Sequence, residues 1–195
     1  MDEINLIRLC QKGDSEAFDN LFKSYSKKAL HTAYLISGSR HLAEEIVQES
    51  FIQCFKNINK LNDPQKFRSW FYRIIVRYSW KAISKEKNKD IDIEDDANIC
   101  SAPDEVFNTI ESLEIRKAVH RALDKLTLPL KTVVILYYFN GLSTKEISKT
   151  LNCMQGTVKS RLYNARKILG KELKQYKSLS EYGEECKING LQKSN

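Results

Sequence analysis

Between residues 155 and 167 the chain gathers Gln155, Thr157, Lys159, Ser160, Arg161, Tyr163, Asn164, Arg166 and Lys167. Lys and Arg neutralise phosphates, while Ser, Asn, Gln and Thr can hydrogen-bond to base edges. The chemistry available to such a set is recognition of a polyanion rather than bond breaking. Val158, Leu162, Ala165 and Leu169 recur through the same stretch at helical spacing. They define a buried stripe, which leaves Lys159, Ser160, Tyr163, Asn164 and Lys167 on the opposite side of a helix, flanked by Arg161 and Arg166.

The residues just before this helix must hold it in place. Leu142-Ser143-Thr144-Lys145-Glu146-Ile147 has the grammar of a helix start. Ser143 can accept from the N–H three residues on, Glu146 can reach back to the N–H of Ser143, and Leu142 can staple onto Ile147. The first helix runs to about Leu151, and Asn152-Cys153-Met154 is long enough only for a turn. A short helix tied to a second one with a basic, hydrogen-bonding face is the arrangement of a helix-turn-helix, whose second helix lies in the major groove. The plainer alternative is a helical hairpin with a solvated charged face.

A second basic set lies on a helix expected from about Lys66 to Lys85. Phe67, Phe71, Ile74, Ile75, Tyr78 and Ala82 form its apolar stripe, and the other side presents Tyr72, Arg73, Arg77, Trp80, Lys81 and Ser84. Arg73, Arg77, Trp80 and Ser84 fall on one line. Cations can follow an unpaired strand there while an aromatic stacks on its bases. Trp70 reads as a core residue; Trp80, beside Arg77 and Lys81, fits either the core or the exposed line.

A third set is acidic. A helix starting near His41 has the stripe Ala43, Val47, Ser50/Phe51, Cys54 and Ile58, and turns Glu44, Glu45, Gln48 and Glu49 outward. This face suits either solvent or a protein partner, and not DNA.

The remaining elements serve as scaffold. Helices are expected over 4–10, from Asp14 or Ser15 to about Ser37 with Gly38 ending it, and from about Asp104 to Leu126. A further buried helix over 131–140 is opened by Pro129 and closed by Gly141. Residues 1–85 hold 14 basic and 9 acidic side chains, residues 86–114 hold 2 and 10, and residues 115–195 hold 16 and 6. Two basic blocks, suited to polyanions, thus flank an acidic strip. The strip over 86–104 lacks periodicity and reads as a linker. Its Asp95 stands where an EF-hand starting at Asp90 needs glycine. Held beside the basic faces, the strip is expected to compete with phosphates and suppress stray DNA binding.

Cys10, Cys54, Cys100, Cys153 and Cys186 are scattered and odd in number, with no CxxC, which argues against a disulfide framework and a zinc site. His31, His41 and His120 have no ligand-like spacing. No phosphate-cradling glycine loop, nucleophile triad or metal cluster is present, so neither a catalytic role, a cofactor nor a small-molecule substrate is expected. The start of the chain is acidic and unlike a signal peptide, and the longest apolar run, 133–139, is too short to span a bilayer. A cytoplasmic protein fits this inventory.

Three segments together resemble one family. Leu42-Ala43-Glu44-Glu45-Ile46-Val47-Gln48-Glu49-Ser50-Phe51 resembles the polymerase-docking helix of bacterial sigma factors. Phe67-Arg68-Ser69-Trp70-Phe71-Tyr72-Arg73-Ile74 resembles the promoter-melting helix that follows it, and Gly156-Thr157-Val158-Lys159-Ser160-Arg161-Leu162 resembles the recognition helix of the fourth conserved region. Their order and spacing are similar to the small extracytoplasmic-function branch, which keeps only the second and fourth regions.

The resemblance implies an all-α fold of two small helical domains joined by a flexible acidic linker. Region 2 would occupy residues 1–86, the linker 87–106, region 4 with its helix-turn-helix 107–173 and a polar tail 174–195. It implies that Glu44, Glu45, Gln48, Glu49, Phe51 and Ile52 bind core RNA polymerase. Asn62, Lys66, Arg68, Arg73, Arg77, Trp80 and Lys81 would handle the minus-ten element, the 59–66 loop receiving a flipped base. The 155–167 set would read the minus-thirty-five element. Partners would be the polymerase clamp and flap, promoter DNA and a membrane-bound anti-sigma protein. A stand-alone helix-turn-helix regulator is the rival, but the chain offers no heptad for a dimer interface. The chain departs from the family pattern in two places: Val76-Arg77 and Lys81 stand where Arg-Asn and then Asp are usual, and Met154 stands where a Ser-like cap usually starts the recognition helix.

Overall fold

The computed structural model describes residues 2–87 and 110–174. Apart from Lys87 and Lys174, the expected acidic linker and polar tail fall outside the described residues. Among the described residues the chain is all helical.

The first half comprises α1 (Glu3–Gln11), α2 (Ser15–Ser37), α3 (Arg40–Asn57) and α4 (Phe67–Lys87). Local chemistry sets their ends. Asp14 accepts from the Ala17 N–H at 2.9 Å and starts α2, and Ser39 accepts from the Leu42 N–H at 3.3 Å and starts α3. Gly38 ends α2 at φ +77°, a left-handed position that glycine adopts without a Cβ clash. The expected stripe of α3 is buried, Ala43, Val47, Ser50, Phe51, Cys54 and Ile58 included. It meets α4 through aromatic rings: Phe51 and Phe71 lie 4.9 Å apart, and Phe67 stacks on Phe71 at 5.6 Å. Burial pushes the Cys54 thiol up to about 12, which leaves it an unreactive core residue.

The second half comprises α5 (Ile110–Asp124), α6 (Leu128–Val134), α7 (Thr144–Leu151) and α8 (Gln155–Leu173). Pro129 sits in the first turn of α6, where its missing N–H costs nothing. The helix expected over 131–140 is not uniform: after α6 it widens into a π-helical turn, Ile135–Phe139. That turn delivers Asn140 and Gly141 to the corner before α7. Lys131 is buried along its stem and reaches the Asp124 carboxylate at 2.7 Å.

The two halves pack directly on each other. Their buried residues form one continuous core, and α4 lies against α7 as well as α2 and α3. Two sequence expectations about α4 change here. Tyr72, expected on its outer side, is only 1% exposed. Trp80 is half-buried, with its Nε1 donating to Thr132 Oγ1 of α6 at 3.1 Å. The physical reason is that α4 has two covered faces: one on α2 and α3, the other beneath the second half. A single-helix periodicity cannot show the second cover.

Candidate nucleic-acid interface

The helix-turn-helix is assembled by its own backbone chemistry. Ser143 Oγ accepts from the Glu146 N–H at 3.2 Å, and Glu146 Oε2 accepts from the Ser143 N–H at 2.8 Å. Both hydrogen bonds of the expected capping box are therefore formed. Leu142 and Ile147, the expected staple, are both buried. Asn152 closes α7 at φ +50°, a left-handed conformation that asparagine tolerates better than most residues. Gln155 Nε2 donates to Thr144 Oγ1 at 2.8 Å and ties the start of α8 to the start of α7. Met154 stands at the N-cap of α8 and supplies no side-chain cap, and neither Asn152 nor Gln155 replaces it.

Val158, Leu162 and Ala165 anchor α8 in the core. Its other face carries the sequence-predicted set together: Gln155, Lys159, Ser160, Tyr163, Asn164, Arg166 and Lys167 are exposed, with Thr157 and Arg161 half-buried at the edges. Arg166 is steered by two tyrosines. Its Nε donates to Tyr138 Oη at 2.9 Å, and its guanidinium lies 5.9 Å from the Tyr137 ring centre. The result is a helix with a basic, hydrogen-bonding surface open to solvent.

The second basic site surrounds a cleft of 390 Å³ on α4, lined by Trp70, Arg73, Ile74 and Arg77 with Gln53, Asn57 and Lys60 from the end of α3 and the turn after it. Arg73 and Arg77 are exposed there as expected. The aromatic beside them is Trp70 rather than Trp80. Spacing could have shown this, because 70, 73 and 77 are separated by three and four residues and share one helix face. Gln53, Asn57 and Lys60 could not be found the same way, since they reach the cleft only through the packing of α3 on α4.

The loop before α4 is fixed at its base. Gln11 Nε2 donates to the carbonyls of Ile58 at 3.0 Å and Leu61 at 2.7 Å. Asn62 is exposed at its tip. Lys66 pairs with Asp63 at 2.7 Å, and this lysine holds the Asp63 carboxyl below its usual range. Arg68 and Trp80 are not brought to the cleft: Arg68 donates to the Asn140 carbonyl, and Trp80 bonds Thr132. Lys81 is exposed.

A third surface lies on α3. Glu44, Glu45, Gln48 and Glu49 are exposed. Arg40 pairs with Glu44 at 3.0 Å. Alongside them runs an apolar groove of 350 Å³ lined by Phe18, Phe22, Phe51, Ile52 and Phe55. Phe55 is 60% exposed, Phe22 45% and Ile52 37%. Phe51 forms the floor, 5% exposed and packed 4.7 Å from Phe22. Phe18, Phe22 and Phe55 were not singled out in the sequence: Phe18 and Phe22 read as apolar positions of the helix ending at Ser37, and Phe55 falls outside the expected stripe of α3. The half-exposed aromatics around this groove form an apolar patch beside the acidic face of α3.

The chain matches known families over both halves. Residues 21–89 match Sigma-70 region 2, and residues 116–169 match Sigma-70, region 4. It is 32% identical over 180 residues to the ECF RNA polymerase sigma factor SigW of Bacillus subtilis, covering 86% of this chain and 95% of that one. It is 31% identical over 175 residues to the ECF RNA polymerase sigma-E factor of Haemophilus influenzae, covering 84% and 91%. Among solved structures it resembles CnrH in complex with the cytosolic domain of CnrY, at TM-score 0.67 and 20% identity, covering 89% of this chain and 98% of that one. It also resembles the sigma factor RpoE in complex with the anti-sigma factor NepR from Bartonella quintana, at TM-score 0.68 and 20% identity, covering 80% and 96%.

Proposed function

Because the chain belongs to the ECF family of RNA polymerase sigma factors, promoter-recognition subunits of the transcription machinery, we propose that its three surfaces divide promoter recognition among them. The exposed face of α8 reads the minus-thirty-five element in the major groove: Lys159, Arg161, Arg166 and Lys167 hold phosphates, while Gln155, Ser160 and Asn164 approach base edges. The cleft on α4 takes the unpaired strand of the minus-ten element. Trp70 supplies the stacking surface there, Arg73 and Arg77 follow the backbone, and Asn62 meets a flipped base. The acidic and apolar face of α3 docks on the clamp of core polymerase, with Phe55, Phe22 and Ile52 as its apolar anchors and Glu45 and Glu49 at the rim.

The observation that carries this reading is the open basic face of α8 behind a fully formed capping box. With Val158, Leu162 and Ala165 buried and its hydrogen-bonding side uncovered, α8 is preorganised for a groove. Residues 1–86 and 107–173 are the two working halves in this proposal, and the region 2 and region 4 matches fall largely within them.

The same reading makes the chain a positioning subunit without catalysis of its own, acting in the cytoplasm, where core polymerase meets DNA. No described helix is long and apolar enough to cross a membrane. An anti-sigma protein is the proposed repressor, in keeping with the two fold relatives solved with CnrY and NepR. The test is run-off transcription on genomic fragments with purified core polymerase. Specific transcripts should appear only when this protein is added; an unchanged transcript pattern would refute the proposal.

A further inference from the structure

The loop that leads into α4 is held by a residue 50 positions away in sequence. Gln11 ends α1 and is half-buried. Its Nε2 donates to the Ile58 carbonyl at 3.0 Å and to the Leu61 carbonyl at 2.7 Å. A side-chain amide nitrogen has two N–H groups, and both are spent here. Only that nitrogen can serve the pair, because an oxygen in its place would set lone pairs against two carbonyl oxygens. Gln11 stands on a fixed base. Leu6, Ile7 and Cys10 of α1 are buried, and Glu3 at the other end of the helix accepts from the Tyr25 hydroxyl.

The two carbonyls bracket the short 3-10 turn Ile58–Lys60. Ile58 and Leu61 are buried, while Lys60 between them lines the cleft that holds Trp70, Arg73 and Arg77. An adjoining cleft of 370 Å³ shares Trp70 and Arg73 and has Leu61 and Lys66 in its wall. Beyond Leu61 the chain is fixed again at Asp63. Its Oδ1 accepts from the Gln65 N–H at 3.1 Å, and its Oδ2 pairs with Lys66 at 2.7 Å. Asn62 therefore lies between two anchored residues, and Gln11 sets the first of them. Gln11 lines neither cleft, so its influence on a bound strand must pass through the loop.

We propose that Gln11 is a positioning residue for minus-ten specificity: its amide fixes the main chain on either side of Lys60 and, with it, the direction in which Asn62 meets an unpaired base. The proposal rests on the promoter reading above. A side chain discriminates bases by hydrogen bonds only while supporting contacts hold it in the productive geometry. A swing of the loop about Leu61 misaims Asn62 and leaves the stacking ring of Trp70 and the cations of α4 where they are. Loss of the two donors should flatten one base preference and spare the others.

Gln11→Met keeps the side-chain length and removes both donors, and Gln11→Lys restores donors on a slightly longer side chain. Hydrogen exchange read by mass spectrometry on the full free chain tests the positioning itself. In Gln11→Met, protection over residues 58–66 should fall about tenfold, the effect of one to two lost hydrogen bonds, while peptides from α3 and α4 keep native rates. Gln11→Lys should exchange as the native chain does. Unchanged exchange in the loop, or faster exchange throughout α3 and α4, overturns the proposal. Transcription by the holoenzyme tests the consequence. The template is a promoter recovered by run-off transcription, with each minus-ten position changed singly to all four bases. Asn62→Ala and Gln11→Met should flatten the same position, from a preference of about tenfold to within about twofold, and Gln11→Lys should regain it. A uniform loss on every template with Gln11→Met, or a profile flattened by Asn62→Ala alone, also overturns the proposal. If Gln11→Met loosens the loop while neither variant changes any preference, the positioning by Gln11 stands and the promoter reading of the loop fails.

Discussion

Trp80 donates its indole N–H to the Thr132 hydroxyl at 3.1 Å across the two halves of the chain, while Trp70, ten residues earlier, stands in the open cleft with Arg73 and Arg77. The two tryptophans therefore have separable roles. Stacking of a base on an aromatic contributes about 1–3 kcal/mol by alanine substitution. Trp70→Ala should weaken binding of the assembled holoenzyme to a fork-junction probe by roughly tenfold. Trp80→Phe, which keeps the ring and removes only the donor, should leave that binding within about twofold, because the lost hydrogen bond joins α4 to α6 and lies outside the cleft. Fluorescence anisotropy titrations of both variants, each assembled with core polymerase, give the comparison. Equal losses would mean that the cleft is not the stacking site.

The α8 face predicts a graded response. Arg161→Ala should cut initiation at promoters carrying a minus-thirty-five element. A phosphate-contacting residue should weaken all sequences alike and flatten the salt dependence, whereas a base-contacting residue should relax preference at one position. Lys159, Arg161 and Lys167 changed together to alanine should abolish the dependence on that element. Run-off transcription across a library of minus-thirty-five variants measures this, and full promoter activity of the triple variant would remove α8 from the reading surface.

Docking on polymerase should depend more on the apolar groove than on its acidic rim. Truncated aromatic anchors at interface centres cost more than 1 kcal/mol, about fivefold or more in affinity. Phe55→Ala should lower core-polymerase affinity by at least that factor. Its side chain is 60% exposed, so the thermal melt should shift little. Glu45→Lys with Glu49→Lys should weaken association further by placing like charges against a cationic partner. Co-purification and circular-dichroism melting of the same samples separate binding from folding. Retained co-purification by both variants would leave α3 a solvated face.

What the sequence made legible follows from the range of each force. Caps act over three or four residues, so Asp14 and the Ser143–Glu146 box could be read directly and are present. The buried stripe of α3 followed from periodicity alone. The exposed polar face of α8 was equally visible, since one helix face needs no tertiary information. The cover over Tyr72 was not, because it comes from Asn140, 68 positions away in sequence. Burial raises the Tyr72 hydroxyl above its ordinary range, with Asn140, Arg68 and Thr32 pulling the other way. Arg68 lies one turn away on α4, but nothing near position 72 announces Asn140 or Thr32. Phe22 failed for a related reason: apolar residues at helical spacing indicate a packed face, and only the finished packing shows which of them are left in the open. The π-helical turn at Ile135–Phe139 likewise has no local signal in the helical periodicity of 131–140.

The uncapped start of α8 yields a stability prediction that needs no partner. Met154 holds the N-cap geometry, φ −65° and ψ 146°, yet gives no side-chain hydrogen bond to the free N–H groups of the first turn. Its side chain is 82% exposed, so replacing it removes little packing. Serine at this position can accept from the N–H two or three residues on. Met154→Ser should therefore stabilise the chain by about 1 kcal/mol, the usual difference between a capping and a non-capping residue. For two halves that share one core, the gain should appear as a rise of a few degrees in Tm, about 2–4 °C for a chain of this size. Met154→Ala, which cannot cap, should leave Tm within about a degree, since surface substitutions away from such features fall within roughly 0.5 kcal/mol. Differential scanning calorimetry of the three proteins decides the matter. Equal melting of serine and alanine variants would show that water already satisfies the first turn of α8. A rise with serine alone would show that the reading helix carries a cap defect that one hydroxyl repairs.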